Sequence, residues 1–255
     1  MALFTDGPPC SIEDLSAQDS QLLNVANVEG IDVTQKLELA HEELGLDLYT
    51  LLTRVSYVDQ LLWISPKPQL DTVAVTPALK LWHAFRTLEM VYGDAYSSQL
   101  NDRYAGKRDQ YHERAGWAKD KLLQNGLGIV QMPVAKAKTP EVGSAVGAIP
   151  DGTYYVTMAW VNQAGEEGAS AEPAVITATG STMVVQAIGP VPRNAAGWNV
   201  YVGAAPDAMV RQNAVPVPAG QQWVQPNNIA SAGPQPGRGQ KPSYLQPIPR
   251  VIQRG

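Results

Sequence analysis

The apolar residues of this 255-residue chain change period once, and that change limits the folds open to it. Up to about residue 132 they recur every three or four positions, the spacing of one helix face. Beyond Pro150 they alternate in short runs separated by Gly, Pro and Asn, the spacing of half-buried strands. Charge follows the same divide: residues 1–140 hold 13 of the 19 basic and 18 of the 24 acidic side chains, and the remainder holds 6 of each. The expected fold is α+β and multidomain: a helical bundle over 1–132, a linker over 133–147, a small antiparallel β-sandwich over 148–232 and an extended arm over 233–255.

In the first region Ser11 and Asp14 offer a cap and its reciprocal acid, predicting a helix that runs to about Val28. Gly30 ends it, and Asp32 with Gln35 offers a second capping box. A long helix follows, with Leu37, Ala40, Leu44, Leu48, Leu51 and Leu52 on one stripe. Thr76-Pro77 reads as a cap followed by proline at the first helical position, opening a helix that buries Ala78, Leu81, Trp82, Phe85, Leu88 and Tyr92. A charged helix from about Leu100 to Gln124 turns Tyr104, Tyr111, Ala115, Ala118 and Leu122 inward, and Asn125-Gly126 is a left-handed stop.

Strands are expected over Thr153 to Asn162, Ala174 to Ala178, Thr182 to Ile188 and Trp198 to Val202. From Gly233 onward, proline and glycine exclude a helix or a central strand, and no acidic residue occurs after Asp207. That closing segment reads as a mildly basic arm.

A formal net charge of -5 argues against a protein whose main task is coating nucleic acid. The single cysteine, Cys10, excludes an intrachain disulfide and a thiolate zinc cluster. The first residues lack the basic and apolar regions of a signal peptide, and no apolar run is long enough to span a bilayer, so a soluble protein folding in a reducing cytoplasm is expected.

Nothing in the sequence composes a catalytic, cofactor-binding or metal-binding set. His41, His83 and His112 lie on three different expected helices without metal-ligand spacing and read as helix-surface residues. Glu42-Glu43 and Glu166-Glu167 read as solvated charge, and Cys10 has no local base. Arg103, Lys107, Arg108, Arg114, Lys119 and Lys121 are interleaved with Asp102, Asp109, Glu113 and Asp120, which favours side-chain pairing over phosphate tracking. Tyr154, Tyr155, Trp160, Trp198, Tyr201 and Trp223 could fill a sandwich core or form a glycan-binding platform; core is preferred, and buried rings would exclude the platform.

Two stretches of the helical region resemble the head-to-tail connector proteins of tailed bacteriophages, the adaptor or head-completion family. One is SIEDLSAQDSQLLNVANVEGIDVTQKLELAHEELGLDLYTLLTR, ending at Arg54, with an early "eDL" helix and then Lys36, Ala40 and Glu43 in a K-x-x-x-A-x-x-E pattern. The other, LDTVAVTPALKLWHAFRTLEMVYGDAYSSQLNDRYAGKRDQYHERAGWAKDKLL, carries a W-x-x-F helix and a charged helix opening near "ND-R-Y". IPDGTYYVTMAWVNQAGEEGASAEP and GWNVYVGAAPD resemble immunoglobulin-like or fibronectin type III-like modules.

The resemblance implies a non-enzymatic virion protein of the neck, made in the bacterial cytoplasm and needing no cofactor. It implies a homo-oligomeric ring, dodecameric to match the portal, with the portal protein and a tail or tail-terminator protein as partners. Genomic DNA would pass through the channel without sequence-specific binding, and no membrane is involved. It also implies that a terminal extension reaches the portal or a neighbouring ring. The segment suited to this is the arm, with Arg238, Lys241, Tyr244, Leu245, Ile248, Arg250, Val251, Ile252 and Arg254 as candidate docking residues. An alternative makes the sandwich the active part, as a surface- or glycan-binding decoration of neck or tail.

Overall fold

A computed structural model describes residues 2–59, 68–99, 102–237 and 239–246. The chain divides into two compact units, one of Gly7–Ile129 with Pro242–Gly255 and one of Met1–Asp6 with Val130–Lys241. The first is helical and the second is built of antiparallel sheets, so the α+β organisation read from the sequence holds.

In the helical unit Ser11 caps α1 (Ile12–Gln18) through the expected reciprocal box, the Ser11 amide donating to Asp14 Oδ2 at 2.9 Å. The helix expected to continue to Val28 instead breaks at Asp19 and resumes as α2 (Leu22–Glu29). The break has a local cause: Asp19 is extended, its carboxylate is buried, and its Oδ1 accepts the Gln21 amide at 3.0 Å. Gly30, at φ 66°, then turns the chain into α3 (Val33–Asp59), where Asp32 Oδ1 accepts the Thr34 and Gln35 amides. Leu37, Ala40, Leu44, Leu48 and Leu52 are buried along α3, and Leu51 is half-buried.

Thr76 Oγ1 accepts the Leu79 amide at 3.4 Å to open α4 (Pro77–Gln99). This helix packs against both α3 and α5 (Ala105–Asn125). The stripe expected on α4 is in place, with Trp82, Phe85, Leu88 and Tyr92 buried and Ala78 and Leu81 half-buried. On the facing side Tyr104, Tyr111, Ala115, Ala118 and Leu122 are all buried. Gly126 ends α5 at φ 92° and ψ 152°, a conformation open to glycine but outside the left-handed helical region expected for Asn125-Gly126.

Beyond that stop, β1 (Leu127–Ile129) pairs antiparallel with β9 (Ser243–Leu245), Gly128 standing opposite Tyr244. A Cβ at Gly128 would lie 2.8 Å from Thr76 Cγ2, so the pairing requires glycine there.

In the sheet unit, one sheet has the order β2 (Glu141–Ala145), β5 (Thr182–Gln186), β8 (Gln222–Val224). The other has the order β4 (Ala174–Ala178), β3 (Gly152–Asn162), β6 (Ala195–Gly203), β7 (Val210–Arg211). Their core includes Met158, Trp160, Met183, Trp198 and Val200. The central pair β3 and β6 is also covered on its second face, where Ala159, Tyr201 and Met209 form a smaller cluster. Continuous burial from Val156 to Asn162 results in place of strict alternation.

The segment expected as a linker, 133–147, is part of this unit. Val134 and Ala137 sit in the core, and β2 pairs along its whole length with β5. The arm is also partly integrated. The Arg211 amide donates to the Pro234 carbonyl at 2.9 Å, and the buried Gln240 side chain both accepts from Val134 N (2.8 Å) and donates to Val134 O (3.0 Å).

Candidate functional site

The candidate docking segment is described only in part. Of the nine residues singled out, Arg238, Ile248, Arg250, Val251, Ile252 and Arg254 lie outside the described residues. Lys241 is exposed in the sheet unit, its backbone N–H donating to Glu166 Oε1 at 3.4 Å. Tyr244 and Leu245 belong to β9, where Tyr244 is 57% exposed and Leu245 half-buried. Strand pairing therefore accounts for the backbone here, and the Tyr244 ring remains available to a partner.

The polar centre of the helical unit is Asp19, which the sequence reading did not single out. Its Oδ2 accepts the Tyr92 and Tyr111 hydroxyls and the Lys107 ammonium, each at 2.8 Å. Burial pushes this carboxyl up, but the Lys107, Gln21, Tyr92 and Tyr111 hydrogen bonds outweigh it and hold the group down at about 2. Burial and the same contacts push both tyrosines well above their ordinary value. Lys107 also lies over both rings, 5.8 and 5.5 Å from their centroids. All of Asp19's strong contacts are thus internal, binding α1 to α4 and α5.

The histidines divide. His112 is exposed and pairs with Glu89 at 2.8 Å, as a surface residue would. His83 is fully buried, correcting the surface reading: Nε2 donates to the Leu37 carbonyl at 3.0 Å and Nδ1 has no partner among the described residues. Burial, with His41 nearby, lowers His83 to about 4, which keeps the ring neutral. The His41 and His83 rings meet edge to face at 6.2 Å, and burial lowers His41 too.

Glu167 is likewise buried, not solvated. It accepts from Asn199 Nδ2 and from the Tyr201 hydroxyl, in a network that continues through Asn213. Burial and the Glu167 contact push Tyr201 well above its ordinary value. Glu166 accepts from Asn162 Nδ2 at 3.0 Å within a turn held by Asn162 Oδ1.

The basic residues of α5 are largely spent on contacts. Lys119 reaches across to Asp47 at 2.7 Å and lies over the Trp82 ring, Arg108 pairs with Asp109, and Arg114 lies over Phe85 and Tyr111. An open depression of about 240 Å³ between α3, α4 and α5 holds Glu43, Asp47, Arg86, Glu89, His112 and Lys119, cations and anions already paired with one another. Cys10 is buried, its thiol donating to the Lys80 carbonyl; burial, then Asp14, pushes it up to about 12 and leaves it a poor nucleophile.

The aromatic platform does not form. Trp160 and Trp198 are buried in the core of the sheet unit, Tyr154 and Tyr201 are buried, and Tyr155 and Trp223 are half-buried. Among the described residues no group of three His, Cys, Asp or Glu is placed to hold a metal ion, and no helix is long and apolar enough to cross a membrane. Comparison with known proteins finds no matching family model, curated protein or solved structure.

Proposed function

We propose that this chain is a structural protein of the neck of a tailed-bacteriophage particle, a head-to-tail adaptor that assembles as a dodecameric ring between portal and tail and continues the DNA channel. The observation that carries the reading is the coincidence of the two connector-like stretches with one helical unit whose buried Asp19 and His83 hydrogen-bond to that unit's own helices. A protein of this kind acts through surfaces repeated around an axis, where many weak contacts sum to a firm joint. The sheet unit would be an appended immunoglobulin-like module, and the closing segment would dock on the portal or on a neighbour.

Cryo-EM of the intact particle tests this. Twelve copies directly beneath the portal are expected. Copies placed on the capsid surface or along the tail would remove the adaptor function and leave the helical unit as an anchor for the sandwich.

A further inference from the structure

We propose that the outward face of α3 receives residues 247–255 of a neighbouring copy, an inference that rests on the ring reading above. Helix α3 carries two stripes. One faces the core; the other, Gln35, Leu39, Glu42, Leu46, Tyr49 and Thr53, steps by four and three residues along the opposite side. Every member is exposed, Leu46 at 71% and Tyr49 at 61%. Steps of four and three are the spacing by which a helix offers a continuous seam to a partner.

Charge identifies the partner. Glu42 lies between Leu39 and Leu46, with Glu38 beside them, and neither glutamate has an ion-pair partner among the described residues. Glu43 and Asp47, on the flank, are already held by Arg86 and Lys119, and Lys36 by Asp94. A second α3 face would set glutamate against glutamate, so the occupant has to be apolar and cationic.

A segment of this chemistry lies outside the described residues. PIPRVIQRG, residues 247–255, has Ile248, Val251 and Ile252, two arginines and no acid. Docked in an extended form, it would present Ile248, Arg250, Ile252 and Arg254 along one side at steps of about 6.6 Å. The α3 seam alternates leucine, glutamate, leucine at steps of about 5 Å. Donor segment and receiving face are different parts of the chain, as a head-to-tail ring requires.

The test uses the full chain with a photoreactive benzoylphenylalanine in place of Ile252, mixed with isotope-labelled chain. The expected product has twice the monomer mass and joins position 252 of one copy to the 39–49 stretch of the other. Its yield falls roughly tenfold in Glu42→Arg and recovers when Arg250→Glu is added, while circular dichroism stays unchanged because Glu42 is exposed. Excess free 247–255 peptide suppresses the product, and the same peptide with both arginines changed to glutamate does not. A cross-link within one copy, a cross-link elsewhere, or none at all overturns the inference. Twelve copies beneath the portal with cross-links away from α3 would sink this inference alone, whereas copies outside the neck would sink the ring reading.

Discussion

Each unit is organised around one buried carboxylate that accepts from tyrosine, and the two are balanced differently. Asp19 in the helical unit faces two tyrosine hydroxyls and an ammonium, using Oδ2 for all three and Oδ1 for a backbone amide. Glu167 in the sheet unit faces one tyrosine hydroxyl and one asparagine amide, both on Oε1, with no cation in hydrogen-bond contact among the described residues. Asp19 ties together helices far apart in sequence, so its negative charge is part of the packing. Glu167 joins residues of the sheet unit that hydrogen-bonded strands and Asn213 already hold.

Neutralising Asp19 is therefore the most damaging single change. In Asp19→Asn, an amide nitrogen must replace one oxygen, and either choice sets a donor against a donor. A loss of about 3–5 kcal/mol from the helical unit is expected, the cost of stripping one partner from a buried ionic cluster. Denaturant melts followed by near-UV circular dichroism of the stacked Tyr92 and Tyr111, whose ring centroids lie 5.6 Å apart, would read it. A loss below about 1 kcal/mol would mean the carboxylate is not the tie between these helices.

Acid separates the units because all three histidines fall in the helical one. His83 is lowered in the fold from 6.5 to about 4, so over that interval the unfolded chain binds more protons than the folded one. Its contribution is whole above pH 6.5 and is lost as pH falls toward 4, by about 3 kcal/mol at the lower end. Calorimetry should show the helical transition moving down between pH 7 and 5 while the sheet transition holds. Asp19 is lowered to about 2, so its own contribution persists to lower pH and is lost only from about 4 downward. Equal movement of both transitions between pH 7 and 5 would remove His83 as the cause.

A smaller loss, confined to the sheet unit, is expected from Gln240→Ala. Val134 is fully buried, and its N–H and C=O both depend on that one side chain. Leaving them unpaired costs about 2 kcal/mol. Hydrogen exchange at the Val134 amide should rise with the mutation and leave the amides of α4 and α5 unchanged.

Much of this architecture is written locally. Ser11, Asp32 and Thr76 announce helix starts by their side-chain chemistry, and the stripes on α3, α4 and α5 follow from three-and-four spacing. β3, β4, β5 and β6 announce themselves by β-branched and aromatic residues between turns. What was illegible depends on distant partners. β2 reads as EVGSA, small and half polar, and becomes a strand only because β5 lies beside it. Glu167 sits in an acidic, glycine-flanked turn that gives no sign of burial. Asp19 did leave a trace: it stands four residues after Leu15 and three before Leu22, both fully buried, where the stripe calls for an apolar residue. For the docking segment, composition singled out nine residues, of which Lys241, Tyr244 and Leu245 are described. The pairing of β9 with β1, for which Gly128 leaves room beside Thr76 and Pro242, was not foreseeable from proline and glycine content alone.

The smallest effect should come from Glu167→Gln, and it completes the contrast with Asp19→Asn. Both donors to Glu167 converge on Oε1, so a glutamine can keep its carbonyl oxygen in that place and continue to accept from Asn199 and Tyr201. The new amide nitrogen takes the position of Oε2, for which neither of these donors competes. About 1 kcal/mol is the expected loss, the difference between a charged and a neutral acceptor. Removing the negative charge also removes the electrostatic part of the Glu167 influence on Tyr201, so its phenol should ionise at lower pH in the variant, readable by ultraviolet titration. If Glu167→Gln proved as costly as Asp19→Asn, charge and not acceptor geometry would be what the sheet unit needs, and the two centres would be alike after all.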